Sequence, residues 1–257
     1  MIHIKHAHEL KAMRESGRLL AEVLEEIKSA IAPGVNLKTL DELACSEIAK
    51  RNVRSSFKGY TAGGALLPFP AYLCASVNNE IIHAPATRDI ILREGDIVGL
   101  DIGLNYKGWH ADMAETVAVG IISDDAQRLL DATREALSKG IAAAMNGVPL
   151  NEISKAIYNH IESSGFGTVE TFVGHGIGRA MHEDPAVPNY PTKSAEEIIL
   201  KTGMVLALEP MVTLGKSETR VADDGWTAKT ADNSLAAHFE HTVAITDKGP
   251  EILTSFT

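Results

Sequence analysis

Apolar residues recur every three or four positions in four segments of the chain, which is the spacing of amphipathic helices. The pattern predicts helices over residues 10–32, 39–51, 125–145 and 151–164. Pro33-Gly34 provides a stop signal after the first helix. Thr39 and Glu42 form a capping-box pattern that predicts the start of the second.

The helices come in two pairs, and the loop inside each pair has the same sequence pattern. Gly-Val-x-Leu occurs at 34–37 and again at 147–150. Because the same motif recurs in the same helix–loop–helix context, we infer two structurally related halves, as a duplication would produce.

After each helix pair the pattern changes to short apolar or alternating segments, which are typical of β-strands. The predicted strands are residues 73–77, 97–104 and 111–119 in the first half and residues 169–173, 204–208 and 239–245 in the second. No linker rich in proline and serine separates the halves. We therefore expect one α+β domain over residues 1–257, in which helices cover an antiparallel sheet.

The acidic charge balance of the chain disfavours some kinds of binding partner. With 24 basic and 34 acidic residues, the chain has a formal charge of −10, which argues against direct binding to nucleic acid or to an anionic membrane. The N-terminus lacks the apolar stretch of a secretion signal, and no apolar run approaches the roughly 18 residues of a transmembrane helix. Two cysteines are too few for a disulfide-stapled secreted domain. Together these features predict a cytoplasmic protein.

The most informative stretch is residues 96–120, where two apolar strands flank a hairpin-turn signal. A turn centred between Tyr106 and Lys107 would place Asp101 directly opposite Asp112, with their Cβ atoms ~5 Å apart. Two ionised aspartates at that distance repel each other, and burial among apolar residues adds a desolvation penalty. A shared proton or divalent cations would compensate, unless one aspartate faces solvent or the register differs.

The second half supplies further candidate ligands. Glu209 ends an apolar strand, and Glu240 lies inside another. His175 lies between glycines in Gly-His-Gly-Ile-Gly at 174–178, where the backbone can turn sharply, and His182 follows. One imidazole and four carboxylates form an oxygen-rich set that suits Mn²⁺, Fe²⁺ or Co²⁺, with Zn²⁺ as a further choice. Bridging carboxylates would hold two ions ~3.5–4 Å apart, the spacing of two-metal hydrolases.

Several motifs together resemble the methionine aminopeptidases, metallopeptidases of the pita-bread fold, over nearly the whole chain. The motifs are Leu-Asp-Ile-Gly at 100–103, Trp-His-Ala-Asp at 109–112, Gly-His-Gly-Ile-Gly at 174–178, Met-His-Glu-Asp-Pro at 181–185, Leu-Glu-Pro at 208–210, Asp-Asp-Gly-Trp-Thr at 223–227 and Phe-Glu-His-Thr at 239–242. Each motif alone is weak, but their order and spacing are specific. The resemblance implies two pseudo-symmetric halves and the removal of initiator methionine from nascent polypeptides with a small second residue.

The resemblance also implies roles for individual residues. The implied metal ligands are Asp101, Asp112, His175, Glu209 and Glu240. Asp112 and Glu240 would bridge two divalent ions (Co, Mn, Fe or Zn), which the free α-amine of the substrate would contact. Glu209 would also carry the proton, His182 would stabilise the carbonyl oxygen, and His83 would lie near the scissile amide. The implied methionine pocket consists of Phe69, Cys74, Met181 and Trp226.

Two further histidines share strand parity with proposed ligands. His110 has the parity of Asp112, and His238 has the parity of Glu240, so either imidazole could orient a ligand. A hydrogen-bonded structural histidine is an equally good interpretation of each.

The spacing of the two glutamates indicates the subtype. Residues 210–239, 30 in number, are too few for the helical insertion of type II enzymes, so the chain resembles type I. Two departures affect the pocket: the segment 59–68 is longer than usual, and Ala84-Pro85 stands where the family usually has glycine after its histidine.

Two other functions remain alternatives. One is a proline peptidase of the same fold, although those enzymes usually carry an additional N-terminal domain. The other is a non-catalytic binding module, although such relatives lose metal ligands that are intact here. The expected partner is the N-terminus of a peptide or nascent protein, and a transient contact with the ribosome is compatible with that role. The chain is expected to be a monomer.

Overall fold

The computed structural model describes residues 2–61 and 67–256. Its helices are α1 (Ala7–Ser29), α2 (Leu37–Lys50), α3 (Asp124–Ala143), α4 (Asn151–Ser163) and the short α5 (Lys193–Glu196). The four helices expected from periodicity are confirmed, with ends that differ from the predicted ones by at most three residues. No helix in the described part of the chain is long and apolar enough to cross a bilayer.

The predicted capping box of α2 is wrong. The helix begins earlier, and Asn36 caps it: the Asn36 side-chain oxygen accepts a hydrogen bond of 3.0 Å from the backbone N–H of Lys38. Thr39 and Glu42 therefore lie inside the helix. Because the backbone of Asn36 is extended, its side-chain oxygen can accept from the first turn of α2, and the helix begins before Thr39.

The strands form one large sheet and two small ones. They are β1 (Arg54–Ser55), β2 (Cys74–Val77), β3 (Glu80–Ile82), β4 (Ile97–Tyr106), β5 (Trp109–Ala118), β6 (Gly167–Thr168), β7 (Gly174–Gly176), β8 (Glu183–Val187), β9 (Val205–Leu208), β10 (Met211–Thr213), β11 (Thr219–Val221), β12 (Ala228–Thr230), β13 (Ala236–His238), β14 (Glu240–Thr246) and β15 (Gly249–Ile252). The large sheet has the order β1-β4-β5-β14-β9-β7-β8, and β2 and β15 pair with β4 and β14. Its strand pairs are antiparallel, which confirms the predicted α+β class.

Each half has its own hydrophobic core beneath its helix pair. In the first half, Leu20 and Leu24 of α1 and Leu40 of α2 pack with apolar residues of β4. In the second half, Leu129 of α3 and Ile157 of α4 pack with residues of β9 and β14. The burial of these apolar faces holds the helices against the sheet.

One predicted strand, residues 169–173, is wrong. The structure has β6 before this segment and β7 after it, and the two belong to different sheets. Its apolar residues pack against the interior while the chain crosses between sheets: Val169 is fully buried, and Phe172 packs edge-on against His83 with ring centroids 5.7 Å apart, whereas Glu170 and Thr171 are exposed. Apolar runs of this length do not distinguish a strand from a buried crossing.

The register of the β4–β5 hairpin differs from the prediction by two residues. The turn residues are Lys107 and Gly108, which both have positive φ, +53° and +84°. Asp101 therefore pairs with Ala114 rather than with Asp112. The predicted direct opposition is wrong, but a shift of two residues keeps both aspartates on one face. They are diagonal neighbours.

The repeated Gly-Val-x-Leu loops occupy equivalent positions in the two halves. Gly34 and Gly147 both have positive φ, +92° and +89°. The backbone N–H of Gly34 donates to the carbonyl of Leu92 at 2.8 Å, and that of Gly147 donates to the carbonyl of Leu200 at 2.9 Å. The same local conformation and the same kind of partner support the inferred pseudo-symmetry.

A second repeat, which the sequence analysis missed, extends this equivalence. Ile-Ile-Leu occurs at 90–92 and at 198–200, and a glycine follows three residues later, at Gly95 and Gly203. Both glycines have positive φ, +91° and +92°. The N–H of Gly95 donates to the carbonyl of Val119 at 3.0 Å, and that of Gly203 donates to the carbonyl of Ile245 at 2.9 Å. Each half therefore leads into the sheet through the same turn.

Candidate metal centre and active site

Five neighbouring strands of the large sheet each present one of the proposed ligands. The ligands are Asp101 on β4, Asp112 on β5, Glu240 on β14, Glu209 directly after β9 and His175 on β7. All five side chains line the same cavity of about 360 Å³. The sheet therefore brings the sequence-predicted ligands of both halves together.

The first row across the sheet runs from Asp101 to Glu240. Both residues pair with Ala114, which lies between them on β5. Because the alanine side chain is small, the space between the two carboxylates stays open. The row therefore places two acids on one face with room between them.

The second row runs from Asp112 to His175. Asp112 and Thr242 are joined by two hydrogen bonds: the Asp112 N–H donates to Thr242 Oγ1 at 3.0 Å, and the Thr242 hydroxyl donates to the Asp112 carbonyl at 2.8 Å. Ala207 pairs with Thr242 on one side and with His175 on the other. Small side chains again separate the two ligands.

Glycines fix the position of His175. A Cβ atom at Gly174 would lie 2.3 Å from the carbonyl oxygen of Ala207, and one at Gly176 would lie 2.1 Å from that of Asp184. Only glycine allows the strand to approach its neighbours so closely. His175 Nδ1 lies 2.8 Å from the carbonyl oxygen of Gly176 and donates to it, which leaves Nε2 as the free lone pair.

The ligand atoms converge on two centres. His175 Nε2 lies 3.6 Å from Glu209 Oε1 and 3.9 Å from Asp112 Oδ2. His238 Nε2 lies 3.6 Å from Glu209 Oε2 and 4.0 Å from Glu240 Oε2. These separations exceed hydrogen-bond length but fit atoms that share a cation at ~2.0–2.2 Å each. Two clusters have potential ligand atoms within 4.8 Å of one another: Asp112, His175 and Glu240 form one, and Glu209, His238 and Glu240 form the other, so Glu240 belongs to both.

The four carboxylates are buried, and burial shifts their protonation. Burial raises the pKa of Asp101 to about 7 and the pKa of Glu209 to about 8. Burial and neighbouring carboxylates raise the pKa values of Asp112 and Glu240 well above their ordinary range. Asp101 Oδ1 and Glu240 Oε1 have no hydrogen-bond partner among the described residues. Divalent cations fit this set, because they would satisfy both the charge and the unpaired oxygens.

The histidines of the cavity favour the neutral form. Burial lowers the pKa of His175 to about 3 and the pKa of His83 to about 4, and it also lowers the pKa of His182. A neutral imidazole has the lone pair that a metal ligand needs.

The proposed catalytic histidines lie on the wall of the same cavity. His83 has a positive φ of +59°, which is uncommon for a residue other than glycine. The ring of His182 lies 4.2 Å from that of His175, and its Nδ1 lies 2.7 Å from the Tyr60 hydroxyl. Burial raises the pKa of Tyr60, so its hydroxyl keeps its proton and can donate to Nδ1 or accept from it, according to the tautomer of His182.

The proposed methionine pocket is the apolar side of the cavity. Phe69, Cys74, Met181 and Trp226 all line it. Phe69 is 4% exposed, and its ring packs edge-on against Trp226 at 5.2 Å. Sequence reasoning thus placed these four residues at one site.

Three aromatic residues of the cavity were missed: Phe57, Tyr60 and Phe172. Tyr60 lies in the unusually long segment 59–68, and residues 62–66 of that segment lie outside the described residues. The only sequence signal for these aromatics was their nearness to predicted motifs, because no periodic pattern marks residues on irregular loops.

The two histidines considered as orienting groups differ. His238 Nε2 faces Glu209 and Glu240, as described above. His110 does not line this cavity; its Nδ1 lies 2.8 Å from the Ser56 hydroxyl. The shared strand parity of His110 and Asp112 therefore did not predict that the hydrogen-bond partner of His110 is Ser56.

Comparisons with known proteins agree with this geometry. The model of metallopeptidase family M24 matches residues 11–247. The chain is 46% identical over 256 residues to the methionine aminopeptidase of Clostridium acetobutylicum and 45% identical over 257 residues to methionine aminopeptidase 1 of Bacillus subtilis, with 99% of each chain covered. It is similar to the crystal structure of methionine aminopeptidase from Thermotoga maritima, with a TM-score of 0.94, 40% identity and coverage of 99% of this chain and 100% of that chain. The likeness over the whole chain confirms the pita-bread fold.

Proposed function

The chain belongs to metallopeptidase family M24 and, within it, to the methionine aminopeptidases, and from this premise we propose how its residues bind and cleave the substrate. It is a metal-dependent hydrolase that removes an N-terminal methionine. One observation carries the proposal: four carboxylates and an imidazole from five adjacent strands line the same cavity as a group of apolar side chains.

The proposed ligands of two divalent cations are Asp101, Asp112, His175, Glu209 and Glu240. Glu240 belongs to both clusters of ligand atoms, which supports a bridging role for it. Asp112 lies in one of these clusters, with His175 and Glu240, and it is proposed as the second residue that would bridge the two ions. Cobalt, manganese, iron and zinc are the candidate ions, because each accepts this mixture of oxygen and nitrogen donors.

Glu209 is proposed to move the proton. Bound divalent cations supply Lewis acidity, which acidifies a water and polarises the scissile carbonyl. The Glu209 carboxylate accepts a proton from the attacking water and passes it to the departing amine.

His182 is proposed to stabilise the carbonyl oxygen. In this role the Tyr60 hydroxyl donates to Nδ1 of His182, and the proton of the neutral ring lies on Nε2, the tautomer that is compatible with their distance of 2.7 Å. That N–H donates to the oxygen as negative charge develops on it. His83, on the same wall, is proposed to contact the scissile amide.

The substrate is proposed to be the initiator methionine of nascent chains, followed by a small residue. The methionine side chain occupies the space among Phe69, Cys74, Met181 and Trp226, and its free α-amine points to the carboxylates. We assign the chain to type I, as a cytoplasmic monomer of one domain over residues 1–257 that contacts the ribosome transiently and binds neither nucleic acid nor membranes directly.

Reconstitution tests the function. Metal-free protein is loaded separately with Mn²⁺, Fe²⁺ under anaerobic conditions, Co²⁺ or Zn²⁺ and is then given Met-Ala-Ser, Met-Trp-Ser or a peptide that begins Ala-Pro. We expect at least one metal to support release of methionine, faster from Met-Ala-Ser than from Met-Trp-Ser, with no cleavage of Ala-Pro. Preferential cleavage of Ala-Pro would favour the proline-peptidase function. Failure to bind any of the four metals would favour the non-catalytic one.

A further inference from the structure

A buried carboxylate on β3, outside the metal centre, has four hydrogen-bonding or ionic contacts. Glu80 is 5% exposed. Arg88 forms a bidentate pair with it, with Nη1–Oε1 of 2.5 Å and Nη2–Oε2 of 2.8 Å. Lys229 Nζ lies 3.1 Å from Oε1, and the N–H of Val77 donates to Oε2 at 2.9 Å. The charge of Glu80 is therefore fully compensated inside the protein.

Arg88 also holds the backbone on both sides of this pair. Its Nε donates to the carbonyl of Pro85 at 2.9 Å, and its Nη2 donates to that of Ala75 at 2.8 Å. The N–H of Ala75 in turn donates to the carbonyl of Ala84 at 2.8 Å. One guanidinium thus ties residues 84–85 to both β2 and β3.

The restrained segment begins with His83. Its φ of +59° is unfavourable for a residue with a side chain and persists only where the surroundings enforce it. Glu80 lies three residues before His83. The N–H of Ala75 binds the carbonyl one residue after His83, and Arg88 binds the carbonyl two residues after it. The hydrogen bonds of Glu80, Arg88 and Ala75 therefore restrain the backbone before and after His83.

Stability alone is a poor explanation for such a network. A buried ion pair contributes little net stability, because desolvation offsets the attraction between the charges. Its geometry is specific, however, because a bidentate guanidinium fixes direction as well as distance. A function that depends on direction accounts for it better.

We propose that the Glu80–Arg88 pair is a positioning device that holds His83 in its strained backbone conformation and aims its imidazole at the scissile amide. The inference rests on the proposed function, in which His83 contacts that amide. Lys229, on β12, provides a second positive charge beside Glu80, in addition to that of Arg88, and so favours the ionised form of this buried carboxylate. Neither Arg88 nor Glu80 lines the cavity, so both act through His83.

Arg88→Lys is the principal test, with Arg51→Lys as its matched control. Lysine keeps the charge at position 88 but loses the bidentate pair and the carbonyl bonds. Arg51 also binds a buried glutamate and a carbonyl, and neither Arg51 nor Glu47 lines the cavity: Nη1 lies 2.6 Å from Glu47 Oε2 and 3.2 Å from the Glu47 carbonyl, and Glu47 is 6% exposed. In the metal-loaded enzyme we expect Arg88→Lys to lower kcat/KM for Met-Ala-Ser between about 10-fold and 100-fold, at unchanged metal content. Arg51→Lys should leave it unchanged.

A double-variant comparison separates positioning from general damage. If Arg88 acts through His83, Arg88→Lys should lower activity in the wild-type background and have no further effect on His83→Ala. Equal losses in both backgrounds would overturn the proposal, as would a His83→Ala variant with wild-type kcat/KM. Glu80→Gln should reproduce Arg88→Lys, and it serves if that variant is poorly folded.

A spectroscopic measurement is independent of turnover. In protein labelled with ¹⁵N-histidine, the His83 ring signals are assigned by their loss in His83→Ala. We expect Arg88→Lys to shift these signals and Arg51→Lys to leave them in place. Unshifted signals in Arg88→Lys would overturn the positioning role even if the enzyme cleaved a different substrate. Failure of the wild-type chain to release methionine, with the shift still present, would overturn the proposed function alone.

Discussion

The two halves of the chain build the metal centre in different ways. The first half places both of its ligands, Asp101 and Asp112, on one hairpin. The second half places His175, Glu209 and Glu240 on three strands that the chain reaches far apart in sequence. Local pairing brings the two aspartates together, whereas only the order of strands in the sheet brings the other three to them.

The halves nevertheless share one frame. Gly34 and Gly147 adopt the same conformation and bind equivalent carbonyls, and so do Gly95 and Gly203. The glycine turns are therefore repeated in the two halves, whereas the metal-ligating residues are not. A substitution in a turn should lower stability, and a substitution of a ligand should lower metal binding and activity.

Asp112→Ala should have the largest effect, because it removes the hairpin's proposed bridging ligand. We expect loss of both metal ions and of detectable activity, since Asp112 shares a cluster with His175 and Glu240. Metal content per chain, measured by mass spectrometry, checks this. Asp131→Ala, on the surface of α3, is the control and should keep both ions. Two tightly bound ions in Asp112→Ala would refute the assignment.

Glu209→Gln tests the second half with a smaller structural change. We expect kcat for Met-Ala-Ser to fall about 10³-fold while the far-ultraviolet circular dichroism stays unchanged, because the amide cannot accept the proton of the attacking water. Glu197→Gln, outside the cavity, is the control. An unaltered kcat would exclude the proton-transfer role.

The metal-free protein should lose stability as the pH rises. Burial raises the pKa of Glu209 from 4.5 to about 8, so the folded state holds this proton more tightly than the unfolded chain does. Its stabilising contribution is complete below pH 4.5 and is lost as the pH rises through about 8, and the raised pKa of Asp101, about 7, acts in the same direction.

Thermal unfolding with and without Mn²⁺ measures this effect. Cation binding needs ionised carboxylates, so the increase in Tm on adding Mn²⁺ should widen between about pH 6 and pH 9. The Glu209→Gln variant should show a smaller widening. An increase in Tm that is the same at every pH would contradict the linkage.

The smallest expected effect tests the shared frame. Gly34→Ala and Gly147→Ala should each lower the free energy of unfolding by about 1 kcal/mol, because alanine is disfavoured at positive φ. No other atom lies within 4 Å of the added Cβ in either case, so strain alone should act. Denaturant unfolding should give equal losses with unchanged kcat. Clearly unequal losses would weaken the equivalence of the halves.

Two errors of the sequence analysis, the hairpin register and the strand at 169–173, share a physical cause. The four helices were predictable because their period of 3.6 is local. The hairpin register was not, because it depends on which two residues take positive φ, here Lys107 and Gly108. The segment 169–173 has a strand-like composition but crosses between sheets. Each error concerns the pairing of a segment rather than its burial.

The metal-ligating groups of the candidate site were easier to predict from the sequence than the aromatic residues that line its cavity. The four carboxylates stood out as candidates because acids in apolar strands are chemically unusual, and the resemblance to a known family then implied the full ligand set. Tyr60 and Phe172 could not be recognised as cavity residues, because aromatic side chains on loops commonly pack into a protein core without any functional role. Nor did any motif mark the Glu80–Arg88 pair, whose members lie on a short strand and an irregular segment.

Local periodicity and side-chain chemistry were sufficient to predict four helices, five of the strands and the groups able to bind metal. Because side chains alternate along a strand, Asp101 and Asp112 stay on one face under any even shift in register. That β5 lies beside β14, and β14 beside β9, is a property of the folded chain alone. Non-local strand pairing leaves no local signal, yet it is what sets carboxylates from the two halves around one cavity.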